Sequence, residues 1–184
     1  MQITRENSAL VVIDVQSRLA PAIAGNESIV RRTEALLQAA ALFGVPKLLT
    51  EHCPDRMGRV IEPLRSRFGA DQIIEKTAFA ATAHSEFVER VQRLQRRCIL
   101  LTGMEAHVCV LQTALGLRSH GYEVGIVADA CGSRIGRQVD REIAISRLQQ
   151  AGCLITTTDT LLYEWTAAAT DPHFRDVLTL VKSL

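Results

Sequence analysis

One cysteine stands where an apolar run hands over to a helical pattern, and that position opens nucleophilic chemistry to this chain. Residues 98–102 read C-I-L-L-T, Gly103 to His107 make a tight connection, and V-C-V-L-Q-T-A-L-G-L-R then begins a helix with Cys109 in its first turn. The first N–H groups of a helix lack intrahelical partners, and the macrodipole adds partial positive charge there. A thiol in that field is expected to ionise more easily than one in a core. Asp14 ends another short apolar run, and Lys76 ends a shorter strand-like stretch, Q-I-I-E-K. A carboxylate can take a thiol proton and later return it to a leaving group. An ammonium can stabilise both anions, and the thiolate can attack an electrophilic carbonyl. The backbone N–H groups of Glu105 and Cys109 can bind the resulting oxyanion, a form of stabilisation worth about 3–4 kcal/mol per donor.

These residues are far apart in sequence, so a fold must gather them. Strand-like runs are predicted over 9–14, 45–50, 72–76, 97–102, 123–128 and 153–157. Helical patterns alternate with them. One runs to Phe43 with Ser28 as its cap and Gly44 as its stop, and others cover 60–68 and 84–94. The Cys109 helix ends at Gly121, and a further helix runs from about Val139 to Ala151. A later one is capped by Thr158 or Asp159, and a last one starts at Asp171-Pro172. Residues 51–59 and 129–137 read as loops. Strand–helix alternation predicts a three-layer α/β/α doubly wound fold with a six-stranded parallel sheet. Ligands in such folds bind at the carboxyl ends of the strands, near the switch in strand order. Asp14, Lys76 and Cys109 all fall at such ends.

Composition narrows the function classes. The chain has 184 residues, 47% of them hydrophobic, which suits one globular domain spanning 1–184. A net charge of +1 without a basic run gives no electrostatic footprint for nucleic acid. Arg90, Arg93, Arg96 and Arg97 sit at helix spacing on a solvated face. The polar start M-Q-I-T-R-E-N-S and the lack of a spanning apolar stretch point to a cytoplasmic protein without a membrane partner. Five scattered cysteines form neither a disulfide framework nor a zinc knuckle. Cys98 and Cys153 open buried strands and read as small hydrophobes. Cys131 fits either a packing or a functional role.

Taken together, V-V-I-D-V-Q (Val11 to Gln16), E-K-T-A-F (Glu75 to Phe79), G-M-E-A-H-V-C-V-L-Q-T-A (Gly103 to Ala114) and D-A-C-G-S-R (Asp129 to Arg134) resemble the isochorismatase-like cysteine hydrolases. The likeness is strongest to the branch that includes the eukaryotic isochorismatase domain-containing proteins. It implies an Asp14–Lys76–Cys109 triad, a cis peptide at Met104–Glu105 that turns the Glu105 N–H toward an oxyanion, and a homo-oligomer. No cofactor and no metal are assigned. Metal-binding relatives carry an Asp-x-His pair and a further His after strand two, where this chain reads Thr50-Glu51-His52-Cys53-Pro54-Asp55. Neighbouring loop residues rarely aim at one ion, so His52 is read as structural or pocket-lining. Leu19 replaces a phenylalanine common among relatives. Gln16, Phe79, Met104 and His107 are candidate substrate contacts; His84, His120 and His173 read as surface or helix-end residues. The expectation is a metal-independent hydrolase of a small amide, imide or related carbon–nitrogen substrate, working through a thioester. The alternatives are a non-catalytic metabolite- or partner-binding protein and a Cys109 redox sensor.

Overall fold

The computed structural model describes residues 2–184. Six strands, β1 (Ser8–Ile13), β2 (Lys47–His52), β3 (Ile73–Lys76), β4 (Cys98–Met104), β5 (Glu123–Gly132) and β6 (Leu154–Thr156), form one sheet. All pairs are parallel and the order is β3-β2-β1-β4-β5-β6. The order reverses between β1 and β4, which leaves a crevice at their carboxyl ends. The helices are α1 (Asn26–Phe43), α2 (Pro54–Met57), α3 (Glu62–Arg65), α4 (Ser85–Arg93), α5 (Leu111–Ser119), α6 (Gln138–Gln150), α7 (Thr158–Thr166) and α8 (Phe174–Lys182).

Period-two alternation divides the core between the two faces of the sheet. Leu10 and Val12 pack with Leu36, Leu37, Leu161 and Trp165 from α1 and α7. Ala9, Val11 and Ile13 pack with Phe87, Ala114, Leu117 and Leu148 from α4, α5 and α6. Burial on both sides is why β1 and β4 read as unbroken apolar runs. Trp165 donates from Nε1 to Ser8 Oγ at 2.9 Å, which joins α7 to the start of β1. Among the described residues no helix is long and apolar enough to cross a membrane.

Several boundaries differ from the sequence expectation, each for a local reason. α1 begins at Asn26 behind Gly25, whose φ of 69° turns the chain, so Ser28 lies inside the helix rather than capping it. The helical pattern of 60–68 yields only the single turn of α3. α7 is capped one residue earlier than expected, by Thr157, whose side chain accepts from the Thr160 N–H. α8 starts at Phe174; Asp171 instead accepts from the His173 N–H and from Arg5.

The largest difference concerns β5. It continues through D-A-C-G, which the sequence reading left as loop, and pairs Cys131 with Gly103 and Gly132 with Met104 after a register shift. Gly103 makes this continuation of β4 feasible: its φ is 117°, and a Cβ there would lie 2.0 Å from the Ile13 carbonyl oxygen. Only glycine permits that approach of β4 to β1.

Candidate active site

Asp14 directly follows β1, with a φ of 51° that turns it out of the strand. Its carboxylate is buried at 1% exposure, and Oδ1 accepts from Thr50 Oγ1 at 2.7 Å. Oδ2 faces the Lys76 ammonium at 2.6 Å and has no other partner among the described residues. Lys76 comes from the last position of β3, two strands away, and its ammonium is also held by the Ala78 and Phe79 carbonyls at 3.3 Å each. An isolated charge at this depth would be strongly disfavoured, so each ion depends on the other.

Cys109 enters from the β4 side of the crevice. Its segment, Ala106–Val110, is a wide helical turn in which the Val110 N–H reaches back to the Glu105 carbonyl at 3.2 Å. Such π-type turns recur at functional sites because the extra residue re-aims a side chain. The turn follows a cis Met104–Glu105 peptide. Cys109 is 6% exposed, and the charges of both Asp14 and Lys76 act on its thiol. Burial and then the Asp14 charge push that thiol up to about 12, and Lys76 only partly opposes them. Against the expectation of an easily ionised thiol, burial and the Asp14 charge raise it by more than Lys76 lowers it. Cys131, the other cysteine at this edge, is likewise held near 12 by burial, with its Sγ donating to the Leu101 carbonyl.

A cavity of about 340 Å³ opens over these groups. Leu19, Ala22, Met57, Phe79 and Val108 make its apolar lining, and Gln16, Arg18, His52, Glu105 and Arg134 join Asp14 and Cys109 as polar lining. That size and mixture suit a small molecule. Gln16 lines the cavity, but its carboxamide bridges the end of β2: Oε1 accepts from the His52 N–H at 2.8 Å and Nε2 donates to the His52 and Gly58 carbonyls. Phe79 sits at the rim, 51% exposed, against the His52 ring at 5.3 Å between centroids. Burial, then the Lys76 charge, shift His52 toward its neutral form. Met104 and His107 do not reach the cavity. Met104 is fully buried in the core, and His107 Nδ1 bonds Ser133 Oγ at 2.8 Å.

Sequence reasoning missed several supports. Glu105 Oε2 accepts from the Arg134 N–H at 3.0 Å and from Arg134 Nε at 2.9 Å, which fixes one cavity wall. Arg134 closes the D-A-C-G-S-R stretch, so the motif was visible but its partner was not. Glu51 is fully buried and accepts from Arg59, the Val60 N–H and Arg65. Burial pushes its carboxyl up, but those bonds outweigh it and hold it below its ordinary value. They anchor the segment that carries Met57.

A buried carboxylate–ammonium pair and a cysteine thus meet at the switch point of a doubly wound parallel sheet. The isochorismatase domain profile matches residues 8–160, and the chain belongs to the isochorismatase family. It is 35% identical over 183 residues to Isochorismatase domain-containing protein 2A of Mus musculus, across 98% of this chain and 85% of that protein. The structure of the MAR1 ribonuclease from Caenorhabditis elegans matches with a TM-score of 0.91 and 30% identity, covering 99% of this chain and 93% of that one. The YcaC gene product of Escherichia coli, an octameric hydrolase of unknown specificity, matches with a TM-score of 0.88 at 22% identity, covering 100% and 96%. At that identity the likeness is one of fold.

Proposed function

We propose that this chain is a cysteine hydrolase of a small amide, imide or related carbon–nitrogen substrate, with Cys109 as nucleophile, Asp14 as proton carrier and Lys76 as electrostatic partner. The observation that carries the reading is the 2.6 Å contact between Lys76 Nζ and Asp14 Oδ2 at a solvent-shielded site whose charges both act on the Cys109 thiol. In the resting state the thiol is neutral and the pair is charged. As Cys109 Sγ attacks the carbonyl carbon, its proton passes to Asp14. The negative charge leaves the carboxylate as the sulfur bonds and the carbonyl oxygen becomes an oxyanion, so no net charge is created in the low-dielectric site. Lys76 compensates whichever group holds that charge. The N–H groups of Glu105 and Cys109 are the donors assigned to the oxyanion. Collapse breaks the carbon–nitrogen bond, and the Asp14 proton leaves with the amine. Water then attacks the thioester with Asp14 again as base, releasing the acid and restoring the thiol.

The family and the hydrolase fold support hydrolysis in general; the small cavity and the Asp14–Lys76 pair support acyl chemistry on a small molecule. The name of the C. elegans relative raises RNA as a substrate, but a net charge of +1 and a cavity of about 340 Å³ favour a small one. A reducing, cytoplasmic setting suits a working thiol. A homo-oligomer is supported by the octameric state of the E. coli neighbour and by the exposed apolar side chains of Ile135, Val139 and Ile143.

A panel of small amides, imides and ureas, with Cys109→Ala and Cys109→Ser as controls, tests the reading. Turnover of at least one panel member, lost by about a thousandfold or more in both variants while the fold survives, is expected. Turnover that persists in Cys109→Ala overturns it.

A further inference from the structure

We propose that His84 is a positioning residue that ties the hold on the Lys76 ammonium to the charge of its own ring. The proposal rests on the reading that Lys76 serves Cys109. His84 Nε2 accepts two backbone hydrogen bonds, from the Thr77 N–H at 3.2 Å and the Ala78 N–H at 3.1 Å. An imidazole nitrogen accepts only through its lone pair, so this ring is neutral with its proton on Nδ1. The same short turn carries the carbonyls of Ala78 and Phe79, each accepting from Lys76 Nζ at 3.3 Å. One stretch of backbone is therefore gripped by His84 through its amides and grips Lys76 through its carbonyls.

Protonation converts Nε2 from acceptor to donor. Two attractive contacts then become donor–donor repulsions, and the turn is released. Lys76 keeps its ion pair with Asp14 but loses the carbonyls that set its reach. Histidine is the side chain suited to such a change of charge near neutral pH. Protons have access, because the half-buried His84 lines a second hollow of about 510 Å³ that does not include Cys109. The charged and titratable groups facing it there are Cys53, Asp55 and Arg56 from the start of α2 and Glu75 and Lys76 from β3. His52 lies near enough for the His84 charge to act on it. On its own helix, the first-turn acid Glu86 is paired with Arg90.

The test uses the full chain. In ¹⁵N-labelled protein, the His84 ring and the Thr77 and Ala78 amides are expected to follow one titration curve, with those amides still in His84→Gln. Amides that stay fixed while the ring titrates overturn the proposal. The second measurement is alkylation of Cys109 by iodoacetamide, followed by peptide mass from pH 5 to 8. Ionisation of the thiol alone changes the rate about tenfold per pH unit. The wild type is expected to fall more steeply than that on the acid side. His84→Gln is expected to keep the wild-type rate at pH 8, because its amide oxygen accepts both N–H groups without charging, and to lose the extra steepness. His52 and the other facing groups are the same in both proteins, so their effects cancel in the comparison. Parallel profiles overturn the proposal. If the variant does not fold, the wild-type amide titration decides. Failure of the Cys109 reading shows separately, as undiminished hydrolysis by Cys109→Ala, and leaves the amide titration untouched.

Discussion

The Cys109 thiol and the Asp14 carboxylate pull in opposite directions on reactivity, which gives a sharp residue-scale prediction. Asp14 raises the thiol and Lys76 lowers it. Asp14→Asn is therefore expected to speed alkylation of Cys109 at pH 7 while abolishing hydrolysis, because it eases ionisation but removes the proton carrier. A variant slowed in both assays would show that Asp14 acts only on structure. Lys76→Ala leaves the Asp14 charge buried without its ion, an uncompensated state that costs about 3–5 kcal/mol. Chemical denaturation should show a loss of that size. Asp14 and Lys76 were both legible as residue types at the ends of strand-like stretches. The raised thiol was not, because desolvation depends on what covers Cys109, and no residue adjacent in sequence reports that.

Two elements hold the crevice open in the right shape. The first is the β1–β4 contact at Gly103. Gly103→Ala places a methyl group against the Ile13 carbonyl in backbone space that only glycine adopts. It is expected to cost at least about 2–3 kcal/mol and to lower the thermal midpoint. The second is the segment after β2, clamped by the buried Glu51. Its carboxyl is held below its ordinary value by Arg59, the Val60 N–H and Arg65 against burial. A depressed folded value means stability that is present above the unfolded value and lost as pH falls through the folded one. Urea midpoints should therefore favour the wild type over Glu51→Gln at pH 7, and the gap should narrow on acidification below the ordinary 4.5 of a glutamate. A gap constant from pH 7 to pH 3 would remove Glu51 from that role. β1 and β4 were legible because burial on both faces writes continuous apolar runs. The extension of β5 was not, because D-A-C-G carries turn chemistry that only the pairing with Gly103 and Met104 overrides.

For the whole molecule, six parallel strands in the order β3-β2-β1-β4-β5-β6 bring residues 14, 76 and 109 to one edge. Val139 at 67% and Ile143 at 61% exposure lie one turn apart on α6, and Ile135 at 73% lies in the turn that leads into it. Large apolar side chains left exposed near one another in this way suit contact with another molecule. Light scattering coupled to gel filtration is expected to find more than one chain per particle, and Ile143→Glu is expected to shift it toward the single chain. A wild type that elutes as one chain at micromolar concentration would remove the oligomer from the reading.

The order of apolar runs, helical patterns and stops along the chain determined the layered architecture, and it placed a carboxylate, an ammonium and a thiol at strand ends. Those features are local or periodic, so they are written in neighbouring residues. The tertiary structure alone decided the protonation of Cys109, the withdrawal of Met104 and His107 from the cavity, the Arg134–Glu105 wall and the His84 grip on the Lys76 turn. Each of these depends on desolvation or on hydrogen bonds between side chain and backbone, and most join groups brought together only by folding. No periodicity records such contacts.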